Sequence, residues 1–275
     1  MIVEYIKSIL LGIIEGITEW LPISSTGHMI LFNEFTNTKS GFLTSDVFLY
    51  VIQLGAILAI VTLFFKKLNP FSPSKTREEK ANTWQMWFKV VVACVPAAVI
   101  GLLFNDFMDR FENPFVISAA LILYGIFFIL IENNQRKTIT SDIDKLSYKT
   151  AVLIGMFQVL SIVPGTSRSG STILGAMLLG CSREVAAEFS FFLAIPVMFG
   201  VSVLKLATND YIMTSSEWGI LIVGMVVAYV VSLLAVKFLM DYVRKHDFKA
   251  FGVYRIVLGI VVIAYFTLHS LIAAL

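Results

Sequence analysis

Six apolar runs, each close to the length of a membrane-spanning helix, are the strongest constraint on this chain. They cover residues 47–65, 87–104, 115–131, 187–206, 217–239 and 252–275. An α-helix needs about 20 predominantly apolar residues to cross the hydrocarbon core of a bilayer. The chain is 57% hydrophobic and only 15% charged, whereas a soluble domain carries about 25% charged residues. The runs therefore predict an all-α integral membrane protein with six full spans.

Two further apolar regions, residues 4–32 and 150–180, are interrupted near their middle. Each consists of two short apolar pieces separated by a stretch that contains proline, serine and glycine. A piece of this length does not cross a bilayer unless it is strongly tilted. Irregular backbone inside a membrane is tolerated only where protein or a polar cavity covers it. Both regions are therefore predicted to be re-entrant helical hairpins.

The two interrupted regions resemble each other in sequence. The residues of the first region that find a counterpart 143 positions later are Gly12, Glu15, Ser24, Gly27, Ile30 and Leu31, matched by Gly155, Gln158, Ser167, Gly170, Ile173 and Leu174. A duplicated, broken and polar segment inside a hydrophobic chain is typical of a binding site between two half-molecules. The hairpin tips are therefore expected to meet near the middle of the bilayer.

Lysine and arginine are concentrated in alternate connections between the spans. These residues are Lys66, Lys67, Lys75, Arg77, Lys80 and Lys89 in one connection, Arg136, Lys137, Lys145 and Lys149 in another, and Lys237, Arg244, Lys245 and Lys249 in a third. The intervening connections contain only Lys39 and Arg110. The positive-inside rule places the basic connections in the cytoplasm. The hairpin at 4–32 then enters from outside and the hairpin at 150–180 from inside, which predicts an inverted-topology repeat.

These inferences predict a single membrane domain over residues 1–275. Repeat one covers about 1–131 and repeat two about 149–275, each with one hairpin followed by three spans. The repeats are expected to be interlocked, because each polar hairpin tip needs the other half as cover. The net charge of +2 is too small to indicate a nucleic-acid partner.

Two carboxylates lie within the first interrupted region. Glu15 and Glu19 are four residues apart, so on a helix they lie on one face, one turn from each other. Like charges at this spacing repel each other, and the pair is tenable if one carboxyl is protonated or a cation lies between them. Mg²⁺ and Ca²⁺ bind carboxylate oxygens and share coordination with phosphate. A solvent-facing polar stripe is the alternative interpretation.

A run of hydroxyl side chains and one histidine follows these carboxylates. The segment Ser24–His28 precedes an apolar stretch, and serine immediately before a helix is typical of an N-cap. If Ser25 is the cap, His28 falls in the first turn, close to backbone N–H groups that attract anions. A histidine there can act as base, acid or nucleophile. The alternative is that the hydroxyls only cap the helix and His28 is structural.

The segment Pro164–Thr172 is the most specific signal in the sequence. It combines a glycine turn, several hydroxyl side chains, one arginine and a following helix. Consecutive backbone N–H groups at a helix N-terminus form an anion-binding nest, and Arg168 can bind two phosphate oxygens at once. The alternative is an ion pair between Arg168 and a glutamate that holds the two halves together.

Other polar residues in the apolar runs are less specific signals. Gln53 and Gln158 either line the site or bridge helices through hydrogen bonds. Arg255, Lys205 and Glu188 lie near span ends, where their long side chains are expected to snorkel toward water.

Both motifs resemble those of a known family. The segment from Glu15 to His28 is similar to the (E/Q)xxxE…SSTGH signature of the bacterial undecaprenyl-diphosphate phosphatases, the bacitracin-resistance family. The segment from Pro164 to Thr172 resembles the PGxSRSG motif of that family. The similarity extends over the whole length, with the same spacing and the same interlocked inverted repeat.

The resemblance implies an integral membrane phosphatase. It implies hydrolysis of undecaprenyl diphosphate to undecaprenyl monophosphate and inorganic phosphate, which recycles the lipid carrier for cell-wall synthesis and confers bacitracin resistance. It further implies a divalent cation, Mg²⁺ or Ca²⁺, as cofactor. The protein is expected in the bacterial plasma membrane, with a site open toward the outer face, and as a possible homodimer.

We assign roles to the motif residues on this basis. The expected catalytic residues are Glu15, Glu19, Ser25, His28 and Arg168, of which Glu15 and Glu19 are also the expected metal ligands. The expected substrate-binding residues are Ser24, Thr26, Gly165, Ser167, Arg168, Ser169, Gly170 and Thr172. The attacking group is water, His28 or Ser25, and the sequence does not decide among them.

Two other classes of function compete with the phosphatase. A carrier for a polyprenyl phosphate would use the same inverted repeat and broken midplane helices. A carrier without hydrolytic activity needs the arginine and the N–H nest to bind phosphate. It does not require paired carboxylates and a histidine. A membrane scaffold would explain none of the clustered polar groups, because ionisable residues inside a membrane are costly.

Overall fold

The described part of the chain is built of α-helices joined by turns. The computed structural model describes residues 1–275 except 39–40, 109–110, 112, 135–136, 210 and 274–275, and the side chains of Thr26, residues 105–108 and Ala273 also lie outside the described part. Lys39, Arg110 and Arg136, which contribute to the charge pattern, are therefore not described. The helices are α1 Ile2–Thr18, α2 Ser25–Phe35, α3 Asp46–Val51, α4 Gln53–Leu63, α5 Phe65–Leu68, α6 Arg77–Met108, α7 Pro114–Asn133, α8 Tyr148–Val159, α9 Arg168–Leu178, α10 Arg183–Ala207, α11 Ser215–Lys245 and α12 Lys249–Ala273.

Six helical segments are long and apolar enough to cross a membrane, as predicted. They are Asp46–Leu63, Arg77–Phe104, Pro114–Asn133, Arg183–Ala207, Ser215–Lys245 and Lys249–Ile272. Some of these helices extend beyond the predicted apolar runs; α6 begins at Arg77 and α11 continues to Lys245. The extensions are rich in glutamate, lysine and arginine, which favour helix but are not apolar. The prediction of a multi-pass, all-α membrane protein is confirmed for the described residues.

Helices from the first and second halves of the chain pack against each other. Helix α1 lies along α11, α8 lies along α6, and α7 pairs with α12 along much of its length. The buried aromatic side chains of α10, among them Phe189, Phe191 and Phe192, fill the centre between these pairs. Residues 20–24 and 165–166, in the turns of the two interrupted regions, are buried, as irregular backbone in a bilayer requires.

The crossing of α7 and α12 depends on two glycines. A Cβ atom on Gly125 would lie 2.6 Å from the carbonyl oxygen of Gly252, and one on Gly252 would lie 2.7 Å from that of Gly125. Small residues at a helix crossing let the two backbones approach closely in membranes. This crossing fixes the positions of Tyr124 and Arg255, which lie close to it in sequence and contact the interrupted regions.

The two interrupted regions turn in the same way. Helix α2 has Ser24 as its N-cap, with φ 74° and a side chain that accepts a hydrogen bond from the Gly27 N–H. Helix α9 has Ser167 as its N-cap, with φ 72° and a side chain that accepts from the Gly170 N–H. The prediction of Ser25 as N-cap is wrong by one residue. The cap must have non-helical backbone angles, which Ser24 has, whereas Ser25 is already the first helical residue.

We predict that the α7–α12 crossing is sensitive to a single added methyl group. Gly125→Ala should destabilise the protein by about 1–3 kcal/mol, because the new Cβ overlaps the backbone of α12. The measurement is thermal unfolding of the purified protein in detergent. Gly101→Ala is the control, since a Cβ there meets no atom within 4 Å, and it should be neutral or stabilising. Equal melting temperatures for the two variants would contradict the described crossing.

Candidate active site

A cavity of about 200 Å³ lies between the two interrupted regions. The residues that line it are Glu19, Ser25, Tyr50, Gln53, Ser161, Pro164, Gly165, Ser167, Arg168, Val197, Met198 and Val201. They come from both interrupted regions and from α3, α4 and α10. A water molecule occupies about 30 Å³ in the liquid, so the cavity has room for a phosphate group together with a water molecule.

Arg168 extends from the first position of α9 into this cavity. Its Nη2 donates to Oε1 of Glu19 at 2.8 Å, and its Nη1 donates to the carbonyl oxygen of Ser190 at 2.7 Å. The guanidinium lies 5.8 Å from the ring centroid of Trp20, which is fully buried. Its Nε is buried without a hydrogen-bond partner among the described residues. The ion pair with glutamate, one of the two interpretations of the sequence, is therefore present, and one donor of the guanidinium is left over.

Glu19 receives a hydrogen bond from a residue of each interrupted region. Ser25 Oγ donates to its Oε2 at 3.1 Å, while Arg168 Nη2 donates to its Oε1. Ser25 and Arg168 occupy equivalent places, since each is the first residue of the helix that follows its interruption. One carboxylate thus holds together the N-termini of α2 and α9. A helix N-terminus attracts anions, so the two helix ends form a positive environment around the cavity.

The predicted substrate-binding hydroxyls divide into two groups. Ser167 lines the cavity, together with the backbone of Gly165. Ser169 is buried and donates to the carbonyl oxygen of Glu19 at 2.9 Å, and Thr172 is buried within 2.7 Å of the Ser190 hydroxyl. Ser169 and Thr172 are therefore placed behind Arg168, where they tie the loop to its surroundings. Their roles as direct ligands stay predictions, as does that of Gly170, whose N–H bonds to Ser167.

His28 lies beside the cavity rather than on its wall. Its Nδ1 is 2.7 Å from the carbonyl oxygen of Ser24, and its Nε2 is 2.7 Å from the hydroxyl of Tyr254 on α12. The His28 and Tyr254 rings are stacked with centroids 5.6 Å apart. Both ring nitrogens thus have protein partners in this conformation. A nucleophilic role for His28, which stays a prediction, would require its Nε2 to leave Tyr254.

Glu15 is the deepest charged group of the predicted site. It is 0% exposed, neither carboxyl oxygen has a hydrogen-bond partner among the described residues, and Glu19 and Arg168 lie within electrostatic range. An isolated carboxylate is costly to bury, so this position favours a bound proton or a cation. Its sequence counterpart Gln158 is also buried with an unpaired side chain among those residues. The Ser24 side chain caps α2, and the Thr26 side chain lies outside the described part.

The described residues contain no group of three or more histidine, cysteine, aspartate or glutamate side chains placed to hold a metal ion. Glu15 and Glu19 would therefore supply at most part of a coordination shell. Mg²⁺ is commonly bound by one or two carboxylates together with substrate phosphates and water. The unpaired oxygens of Glu15 fit that donor set, provided that the substrate completes it.

Several residues of the site were not predicted from the sequence. Tyr50 and Ser161 line the cavity, and their polar character within or beside apolar runs was the available signal. Gln53 also lines it, which is one of the two interpretations given to it from the sequence. The environment of Arg255 was also predicted incorrectly. The prediction that it snorkels to water is wrong, because its side chain is 0% exposed and donates to backbone carbonyl oxygens of both interrupted regions. Distance from a span end predicted its environment poorly, since loop backbone lies deep in this fold.

Comparison with known proteins agrees with the two motifs. Residues 8–261 match the family described as bacitracin resistance protein BacA. The chain belongs to this family. It is 55% identical over 268 residues to undecaprenyl-diphosphatase 1 of Clostridioides difficile strain 630, with 97% of this chain and 98% of the relative covered. It is 54% identical over 266 residues to an undecaprenyl-diphosphatase of Enterococcus faecalis, with 95% and 96% covered. The family inferred from the motifs is thereby confirmed.

We predict that Glu19 and Arg168 are energetically coupled. Glu19→Gln or Arg168→Gln alone should each destabilise the protein by about 3–5 kcal/mol, because each leaves its partner buried without a countercharge. The double substitution should cost less than the sum of the two, as for residues in direct contact. A double-mutant cycle from thermal unfolding measures the difference.

The matched control is the ion pair of Asp46 with Lys205, in which Asp46 is 63% exposed. Asp46→Asn should cost at most about 1 kcal/mol, because water screens an exposed pair. Additive effects at Glu19 and Arg168 would contradict the described contact.

Proposed function

We propose that this protein is a membrane phosphatase that hydrolyses undecaprenyl diphosphate to undecaprenyl monophosphate and inorganic phosphate. The observation that carries the proposal is the convergence of Ser25 and Arg168, from two separate helix N-termini, on Glu19 at the wall of a polar cavity. Relatives over half identical along nearly the full chain bear the name undecaprenyl-diphosphatase. Such a reaction recycles the lipid carrier of cell-wall synthesis, and it opposes bacitracin because it consumes the diphosphate.

Binding of the diphosphate headgroup follows from the groups that face the cavity. Arg168 offers a guanidinium whose planar fork matches two phosphate oxygens. The N-termini of α2 and α9 and the Ser167 hydroxyl add donors without adding negative charge. The surrounding helices carry exposed large hydrophobic side chains, which lipid would cover, so the prenyl chain can stay in the bilayer while the headgroup enters.

Hydrolysis requires a nucleophile, a base and a stabilised leaving group. A water oxygen attacks the terminal phosphorus, the bridging P–O bond breaks, and undecaprenyl monophosphate leaves. As an alternative to holding a cation with Glu15, Glu19 is placed to take the proton from water or from Ser25, whose hydroxyl already donates to Oε2. Arg168 stabilises the charge on the equatorial phosphate oxygens, which is the main contribution to most phosphoryl transfers. Ser25 is the alternative nucleophile, and trapping of a phosphoenzyme would distinguish it from water.

A divalent cation, Mg²⁺ or Ca²⁺, is proposed as the cofactor, with Glu15 and Glu19 as its protein ligands. The unpaired carboxyl oxygens of Glu15 support this assignment. When bound, the cation supplies charge neutralisation for the phosphate oxygens. In its absence from the site, Glu15 is best accommodated with a proton, because a second negative charge next to Glu19 would be unfavourable.

The architecture is proposed to be one membrane domain of two interlocked, inverted repeats, with the two interrupted regions as re-entrant hairpins. The pairing of α1 with α11 and of α8 with α6 supports this, because each first hairpin helix contacts the other half. The matching φ values of Ser24 and Ser167 support it as well. We place the protein in the bacterial plasma membrane with the basic connections in the cytoplasm and the cavity open outward. Assembly as a homodimer stays a prediction.

We predict metal-dependent release of inorganic phosphate from farnesyl or undecaprenyl diphosphate by the purified protein in detergent. EDTA should abolish release and Mg²⁺ or Ca²⁺ should restore it. Arg168→Ala should lower turnover by about 1,000-fold or more, as for other arginines that stabilise phosphoryl transfer. Arg183→Lys is the control, because Arg183 pairs with Glu132 and does not line the cavity. If the folded protein releases no phosphate across several metals and chain lengths, a polyprenyl-phosphate carrier becomes the better explanation.

The proposed orientation predicts which loops are accessible from outside the cell. Ile212→Cys, at a position 90% exposed, should react with a membrane-impermeant maleimide on intact cells. Ser74→Cys, in the basic connection before α6, should react only after permeabilisation. The parent chain provides the background, since Cys181 is buried and Cys94 partly so. The opposite labelling pattern would invert the assignment and place the cavity toward the cytoplasm.

A further inference from the structure

Arg255 is a fully buried cation in the second turn of the membrane-spanning helix α12. Its side chain is 0% exposed, and it is not part of any salt bridge among the described residues. Removing an arginine from water without an acidic partner is costly, and such residues within membrane spans usually serve a function. The cavity-lining residues do not include it, so it does not bind the headgroup directly.

The guanidinium of Arg255 is instead bound by the backbone of both interrupted regions. Its Nη1 donates to the carbonyl oxygen of Pro22 at 3.0 Å. Its Nη2 donates to the carbonyl oxygens of Gly165 at 3.0 Å and of Thr166 at 2.9 Å. Pro22 belongs to the turn before α2, and Gly165 and Thr166 belong to the turn before α9. One side chain therefore connects the two turns directly.

The carbonyl groups that Arg255 binds lie just before two strained residues. Ser24 and Ser167 have φ values of 74° and 72°, a region that costs a non-glycine residue about 1–3 kcal/mol. Strain of this kind persists only where the surrounding structure holds it. In a trans peptide the C=O and the following N–H point in opposite directions. By binding the Thr166 carbonyl oxygen, Arg255 turns the N–H of the cavity-lining Ser167 away from itself.

The space around Arg255 is fitted to this arrangement. A Cβ atom on Gly170 would lie 3.0 Å from Nη1, so the glycine leaves room for the guanidinium. The ring of Tyr124 lies 5.4 Å from the guanidinium and forms a cation–π contact. The preceding residue, Tyr254, bonds to His28. Helix α12 thus contacts the first motif through two consecutive residues.

We propose that Arg255 is a positioning residue of the phosphatase site. It fixes the turns before α2 and α9 relative to each other, so that Ser25 and Arg168 reach the same carboxylate and the helix N-termini face one cavity. This inference rests on the proposed function for its catalytic consequence. The positioning itself is a property of the loops and has a readout that does not depend on turnover.

The test compares Arg255→Lys and Arg255→Gln with Arg183→Lys. Lysine keeps the charge without the fork that reaches both turns, and glutamine keeps a donor without the charge. Arg183 also bridges two helices through a two-point contact, with Glu132, but at a distance from the cavity. For each monodisperse variant the measurements are kcat and KM for farnesyl diphosphate and hydrogen–deuterium exchange of the backbone.

Both Arg255 variants should lose about 100-fold in kcat, as expected for slight misplacement of reacting groups, with a smaller change in KM. Exchange should rise in peptides that cover residues 19–25 and 163–168 together. Arg183→Lys should leave turnover per folded molecule and exchange in both turns unchanged.

Three outcomes would overturn the proposal: unchanged turnover in both Arg255 variants, unchanged exchange in the turns, or no folded protein from either variant, which would make Arg255 a folding determinant. If the parent protein releases no phosphate, the proposed function fails, while the exchange data still decide whether Arg255 holds the turns.

Discussion

The absence of water inside a bilayer is the constraint on which this structure depends. Interrupting a helix in the membrane leaves unpaired N–H and C=O groups, and each costs several kcal/mol unless protein satisfies it. Here the carbonyl groups before α2 and α9 bind Arg255, and the N–H groups at their starts bind the side chains of Ser24 and Ser167. Residues 20–24 and 165–166 of these turns are buried by the surrounding helices, which would keep lipid away from them. The contacts that satisfy the backbone of the two turns therefore also form the candidate site.

The need to enclose both turns in protein also determines the electrostatics of the cavity. A helix N-terminus that is enclosed by protein presents N–H groups to a small cavity, where little water screens them. Two such ends face the cavity, and Arg168 adds a full positive charge at one of them. Glu19 balances that charge while also accepting from Ser25. Under the proposed function, a phosphate group that enters this environment would meet donors that are already oriented, which would lower the reorganisation needed during the reaction.

The sequence predicted the spans and the motifs well, because apolar length and clustered polar residues are local properties. It did not predict which residue caps α2, since the backbone conformation of Ser24 depends on the turn that precedes it. The sequence wrongly predicted that the Arg255 side chain reaches water. The position of Arg255 in its apolar run does not indicate which turns contact it. The partner of His28 was equally hidden, since Tyr254 lies 226 positions away in the chain. Contacts between sequence-distant turns are set by tertiary packing.

The pair of Arg168 and Glu19 bears on how substrate and product are distinguished. Breaking a buried ion pair outright costs about 3–5 kcal/mol, so a ligand must replace the glutamate as the partner of the guanidinium rather than separate the two. The Nε of Arg168, which has no hydrogen-bond partner among the described residues, is available for a first contact under the proposed function. A diphosphate has more oxygens and more negative charge than the monophosphate product. We infer that after cleavage the lipid monophosphate would compete less well for Arg168, so that the ion pair with Glu19 would re-form and favour release.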